Sequence, residues 1–235
     1  ADFALTATGT ASGSIASVSA ASGTAVDVTV NAVAGDGTLR LDLNDGDASI
    51  SDTVAQVLSG TTYSSGQTFT IDNTAPSVTA ILRKAGETNP TTGASVVYTV
   101  TFSESVSPIA TGDFALTTTG TASGSIASVS AASGTTVDVT VNTVAGDGTL
   151  RLDVNDGDTS IADQVTQVLS SATFTTGEIF TIDNTAPSIT SIVRKAGETN
   201  PTTGASVIYT VTFSESVSPI ATGDFALTTS GTASG

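Results

Sequence analysis

The chain has 235 residues and a formal net charge of -16, from 22 Asp and Glu against 6 Lys and Arg. Cys, His, Met and Trp are absent, which excludes a disulfide framework and any zinc or copper site built on thiolate or imidazole. The carboxylate excess excludes nucleic acid as a partner, because phosphate neutralisation needs clustered Lys and Arg, and no apolar run approaches the ~18 residues that membrane insertion requires.

The elements are most legible in the stretch that follows Thr74. Strands are predicted over 77–83, 94–103, 113–118, 124–131, 136–143, 149–154 and 178–183. Each run alternates: Val96, Tyr98, Val100 and Phe102 face one way, with Thr99, Thr101 and Ser103 between them. Val137, Val139 and Val141 alternate with Asp138, Thr140 and Asn142 in the same manner. Period-two burial of one face marks half-buried antiparallel strands, and their Val, Thr, Ile and Phe are strand formers. Helical spacing appears nowhere over a useful length. Asn89-Pro90 and Gly93 break the first pair of strands. Gly146-Asp147-Gly148 reads as a hairpin turn that needs positive φ.

The whole pattern recurs every 111 residues without insertion or deletion. DFAL stands at Asp2, Asp113 and Asp224, IDNTAPS at Ile71 and Ile182, and RKAGETNPTTGAS at Arg83 and Arg194. About one position in six differs between copies. A period this long is a domain rather than a solenoid rung. Residues 75–185 are expected to form one complete repeat, 1–74 the later part of another, and 186–235 the earlier part of a third. The chain begins and stops within a repeat, so it reads as a window on a longer polypeptide. Near-identical copies in register point to reach or repetition and away from a single active site. Without His, Ser and Thr have no evident base to activate them, and no enzyme is expected.

One acidic constellation stands out on composition alone. The strand at 149–154 runs into Asp153, Asn155, Asp156, Asp158 and Asp163, and its twin holds Asp42, Asn44, Asp45, Asp47 and Asp52. Calcium takes six to eight oxygens, several from carboxylates on a loop able to wrap it. Its rival explanation is a solvated turn, since Asp, Asn and Gly are common turn formers. Lys84 and Lys195, the one lysine of each period, are formal candidates for a covalent cross-link, against the simpler reading of exposed surface lysines.

The ordered strings FTIDNTAPSVTAI, VVYTVTFSESV, DFAL and GDGTLRLDLND resemble the bacterial immunoglobulin-like repeats of giant surface adhesins. The resemblance covers the whole chain. It implies an all-β fold of tandem immunoglobulin-like antiparallel β-sandwiches, exported to the cell surface or beyond, acting as a stalk beside adjacent repeats of the same long chain. It also implies Ca2+ at the junctions between repeats. There, Asp72-Asn73 and Asp183-Asn184 precede Ala-Pro in the manner of cadherin linkers, and Glu104 and Glu215 are placed to approach from a domain end. The alternative is a subunit of a self-assembling filament or sheath, with identical chains in lateral or strand-donation contact.

Overall fold

The structure is a computed structural model that describes residues 2–232. Alternation becomes strands almost everywhere it was read. In chain order they are β1 (Phe3–Ala7), β2 (Ser12–Val18), β3 (Val28–Ala34), β4 (Gly37–Asn44), β5 (Thr62–Tyr63), β6 (Thr68–Ile71), β7 (Val78–Arg83) and β8 (Ser95–Val106). There follow β9 (Phe114–Thr118), β10 (Ser123–Val129), β11 (Gly134–Ala145), β12 (Gly148–Asn155), β13 (Thr173–Phe174), β14 (Ile179–Ile182), β15 (Ile189–Arg194) and β16 (Tyr209–Phe213). Among the described residues there is no α-helix. Thr111–Asp113 and Thr222–Asp224 form short 3-10 turns. Seven of the strands between 78 and 182 coincide with the predicted ones, and the two-residue β13 was not anticipated.

Two antiparallel sheets are built from residues 78–182. One has the order β10-β11-β8-β7. The other centres on β12, which pairs β9 along one edge and β14 and β13 along the other. The period-two faces of both sheets meet in a single core. Val96, Tyr98, Val100, Val137, Val139 and Val141 come from the first sheet, and Leu150, Leu152, Val154, Phe180 and Ile182 from the second. Apolar burial on two facing sheets makes this a sandwich-like all-β unit.

The Gly146-Asp147-Gly148 turn departs from expectation. Positive φ is present, at 77° for Gly146 and 142° for Gly148. The turn, however, joins β11 to β12, and these strands lie in different sheets. It carries the chain across the sandwich and closes no hairpin. A dipeptide signal reports local backbone geometry, while sheet membership depends on which distant strand supplies the partner.

The flanking residues show how much a strand owes to that partner. β3 begins at Val28, yet β11, the same sequence one period on, begins at Gly134. Residues 23–27 differ from 134–138 only at Ala25 against Thr136. β11 pairs β8 along this stretch, whereas β3 pairs only β2. Likewise β16 spans Tyr209–Phe213, while its counterpart β8 spans Ser95–Val106. Lone edges lose strand structure because their N–H and C=O groups turn to water instead of a ladder.

Candidate metal centre

The acidic loop divides into three parts with different roles. Asp153 lies within β12, where it accepts from Arg151 Nε at 2.6 Å and Arg151 Nη2 at 3.2 Å, and from Thr117 Oγ1 at 2.6 Å. Asp42 is held the same way by Arg40 and Thr6. Both carboxylates are thus internal strand partners, and neither belongs to an acidic cluster among the described residues. Asn44 and Asn155 are exposed strand ends.

Asp156 and Asp158 gather with Asp113, each offering a carboxylate oxygen within 4.8 Å of the others. Asp45 and Asp47 gather with Asp2 in the same way. Asp113 and Asp2 were missed in the sequence because they belong to the DFAL string, far from the loop; their recurrence one period apart was the available signal. Asp156 is buried and accepts from Ser160 N–H at 2.9 Å and Ile161 N–H at 3.2 Å. Asp113 accepts from Ala110 N–H at 2.7 Å. Burial pushes the Asp156 carboxyl up, while the Ser160 hydroxyl holds Asp158 below the usual range. These bonds fold the loop on itself and deliver Ile161 to the core, while Asp113, Asp156 and Asp158 stay close enough to share one cation.

Asp163 stands apart from the rest of its loop. It joins Asp72 from the preceding junction and Glu104 from β8, again within 4.8 Å. Its Oδ1 accepts from Val165 N–H and Gln167 N–H, both at 2.8 Å. Its Oδ2 is buried without any partner, the one such side-chain atom among the described residues. The neighbouring segment is tied in by Gln167 Nε2, which donates to the Asp72 carbonyl at 3.1 Å. Asp52 makes the same two backbone bonds through Oδ1 but is exposed, with no counterpart of Asp72 or Glu104 beside it among the described residues. Burial first, and then the charges of Asp72, Asp163 and Asp36, push the Glu104 carboxyl above its ordinary value. Three carboxylates, one of them with a bare buried oxygen, are hard oxygen donors that suit a divalent cation, and a cation would relieve the repulsion that raises Glu104.

The asparagines of the junction do something else. Asn73 donates its side-chain N–H to the Gly35 carbonyl at 2.7 Å and its backbone N–H to Asp36 at 2.6 Å, and Thr74 donates its hydroxyl to the same carboxylate at 2.7 Å. Asn184 and Thr185 repeat this clasp on Gly146 and Asp147. The linker is therefore fastened to the inter-sheet turn of its own repeat, through the Nδ2 and backbone N–H of each asparagine, and the clasp does not use either amide oxygen. At the second junction Asp183 is partly buried and Glu215 is exposed, with no third acid beside them among the described residues. Lys84 is engaged by Asp138 at 2.7 Å in an ion pair. No family model, characterised protein or solved structure matches the chain.

Proposed function

We propose that the chain is a stretch of a bacterial extracellular stalk, built from immunoglobulin-like repeats and stiffened by calcium at the junctions. The observation that carries this reading is the convergence of Asp72 from one repeat with Glu104 and Asp163 from the next, around a buried oxygen that has no hydrogen-bond donor. The role is mechanical: sandwiches in series hold a distal region away from the surface. Asp72, Glu104 and Asp163 would hold the ion. The ion would supply the positive charge that lets two repeats approach, and so restrict bending at the five-residue linker. The surface excess of acid suits a soluble, exported fibre. Stiffness without catalysis also suits near-identical copies, since each copy then adds only length.

Calcium titration of the chain tests this, followed by thermal melting and by small-angle scattering. Ion binding to the folded state alone stabilises it by about 2.7 kcal/mol at a hundredfold excess over Kd. Calcium is expected to raise the melting temperature and the maximum dimension together, and Asp163→Asn to abolish both responses. Asp156→Ala with Asp158→Ala should lower the melting temperature yet leave the calcium response in place. If chelator and calcium give the same melting curve and the same scattering profile, the junction acid cluster is no metal site.

A further inference from the structure

One loop of the central sandwich lies along the linker Asp72–Pro76 and takes hold of it at both ends. Gln167 Nε2 donates to the Asp72 carbonyl at 3.1 Å, and three residues further on the Ser170 N–H donates to the Pro76 carbonyl at 2.8 Å. The loop that carries both donors is closed on itself. Ile161 and Leu169 anchor its two ends in the core, and the Leu169 N–H donates to the Ile161 carbonyl at 3.1 Å. Between them the Asp163 N–H donates to the Gln167 carbonyl at 3.0 Å, and the Gln167 N–H returns to Asp163 Oδ1 at 2.8 Å. That return bond engages Oδ1 and leaves Oδ2 as the unpartnered buried oxygen. From the other side, Asn73 and Thr74 are clasped to Gly35 and Asp36 of the preceding repeat. Asp72 is thus held between two repeats, by its chain neighbours on one side and by the Gln167 amide on the other.

We propose that Gln167 is a positioning residue for the junction: its amide holds the Asp72 backbone to the loop of Asp163, and so keeps the carboxylates of two repeats together when no ion is bound. The need for it is electrostatic. Asp72, Glu104 and Asp163 bring carboxylate oxygens within 4.8 Å of one another, and like charges so close repel and drive the linker acid away. An uncharged donor answers that need. A Lys or Arg at this position would put its own charge where a cation would sit, and a Glu would add a fourth carboxylate and offer no N–H at neutral pH. The amide donates without either effect, and it does so to a carbonyl, so the carboxylate oxygens of Asp72 are not consumed by the bond. Both bonds between Asp163 and Gln167 use the Gln167 backbone, so the loop keeps its shape when the side chain is cut back. A neutral hydrogen bond biases such an equilibrium by roughly fivefold. The joint without an ion is therefore mostly closed, and an ion would complete the closure. The ordering of the joint stands on this geometry alone, while its consequence for affinity rests on the calcium reading of the junction.

Pulsed dipolar electron resonance on the whole chain tests it, since the chain has no cysteine of its own. Nitroxides on Ser17→Cys and Ser128→Cys, exposed positions one period apart on β2 and β10, report the distance between repeats. In chelator the parent should give one dominant narrow distance with a minor broad component. Gln167→Ala should shift that balance toward the broad component by roughly fivefold. Gln167→Glu, of the same length but without the donor, should shift it too. Thermal melting in chelator, close to that of the parent, checks that the variants are folded. Titration with calcium chloride should then show Gln167→Ala binding roughly fivefold more weakly than the parent, with the narrow distance restored at saturation. A parent as broad as Gln167→Ala in chelator, a variant as narrow as the parent, or calcium bound equally tightly by both would each overturn the proposal. Calcium bound by none of the chains, beside a clear difference between them in chelator, would sink the calcium reading and leave Gln167 as the residue that orders the joint.

Discussion

Tyr98 is the side chain on which the two sheets of the central sandwich are most visibly joined. It lies on β8, its ring sits edge-on to Phe180 of the other sheet, and its hydroxyl reaches the Leu150 carbonyl. Burial pushes its hydroxyl pKa up, so the neutral donor is retained at any ordinary pH. Tyr98→Phe keeps the ring and removes the donor, and should cost about 1–2 kcal/mol, read as a melting temperature lower by about 4–8 °C per kcal/mol. Gly146 carries a different constraint. At φ 77° a side chain is strained, and an added Cβ would collide with the Thr121 carbonyl. Gly146→Ala should therefore destabilise the sandwich by more than the roughly 1–2 kcal/mol that left-handed backbone alone costs, measured by denaturant midpoint at unchanged m value. Thr143, Thr159 and Thr166 also sit at positive φ, between 53° and 70°. Each donates its hydroxyl to the carbonyl of the residue before it. Their counterparts Ala32, Ala48 and Ala55 hold the same backbone without that bond, so the turns are set by their surroundings and not by the hydroxyl.

At the scale of elements, the inter-sheet turn and the linker form one device. The turn between β11 and β12 presents Asp147, and the linker presents Asn184 and Thr185 to it. The Thr185 hydroxyl first, and then the Asn184 backbone N–H, hold the Asp147 carboxyl below its ordinary 3.8. A carboxyl depressed in the folded state stabilises it above that ordinary value, and the contribution is lost as pH falls through the lower folded value. Acidification should thus loosen the linker at the very bottom of the pH range. Asp147→Asn should remove that acid step and leave the linker looser at neutral pH, seen as faster amide exchange at Asn184 and Thr185. Equal exchange in the variant and the parent would show that the clasp does not hold the linker.

Across the whole molecule, contacts recur one period apart but burial does not. Asp52 and Asp163 make the same bonds, yet only Asp163 is buried, beside Asp72 of the preceding junction. The proposed calcium response would have a signature of its own. Monovalent salt screens exposed charges with a Debye length of about 10 Å at 0.1 M, and should ease the general repulsion of a chain at -16. Raising sodium chloride in place of calcium should compact the chain without reproducing the joint gain in melting temperature and length. If salt reproduces both, the acid cluster responds to screening and not to a seated ion.

The strand pattern and the all-β class were legible in the sequence, because alternate burial is written in residue order and needs no knowledge of neighbours. So were the 111-residue identities and the positive φ of Gly146 and Gly148. The junction acids Asp72 and Glu104 lie beside each other in the fold, and their positions at a linker and a strand end were the sequence signal for it. Three things were settled only by the tertiary structure. Asp153 and Asp42 were drawn into strand-internal pairs with Arg151 and Arg40, which period-two geometry places on the same face two residues away. Asp163 left its loop companions for Asp72 and Glu104, and Asp113 took its place beside Asp156 and Asp158. Sheet membership put β11 and β12 on opposite sides of the core. Each of these depends on residues brought together from distant parts of the chain. Local sequence sets which way a side chain faces; the packing of one sheet on the other, and of one repeat on the next, decides what it meets there.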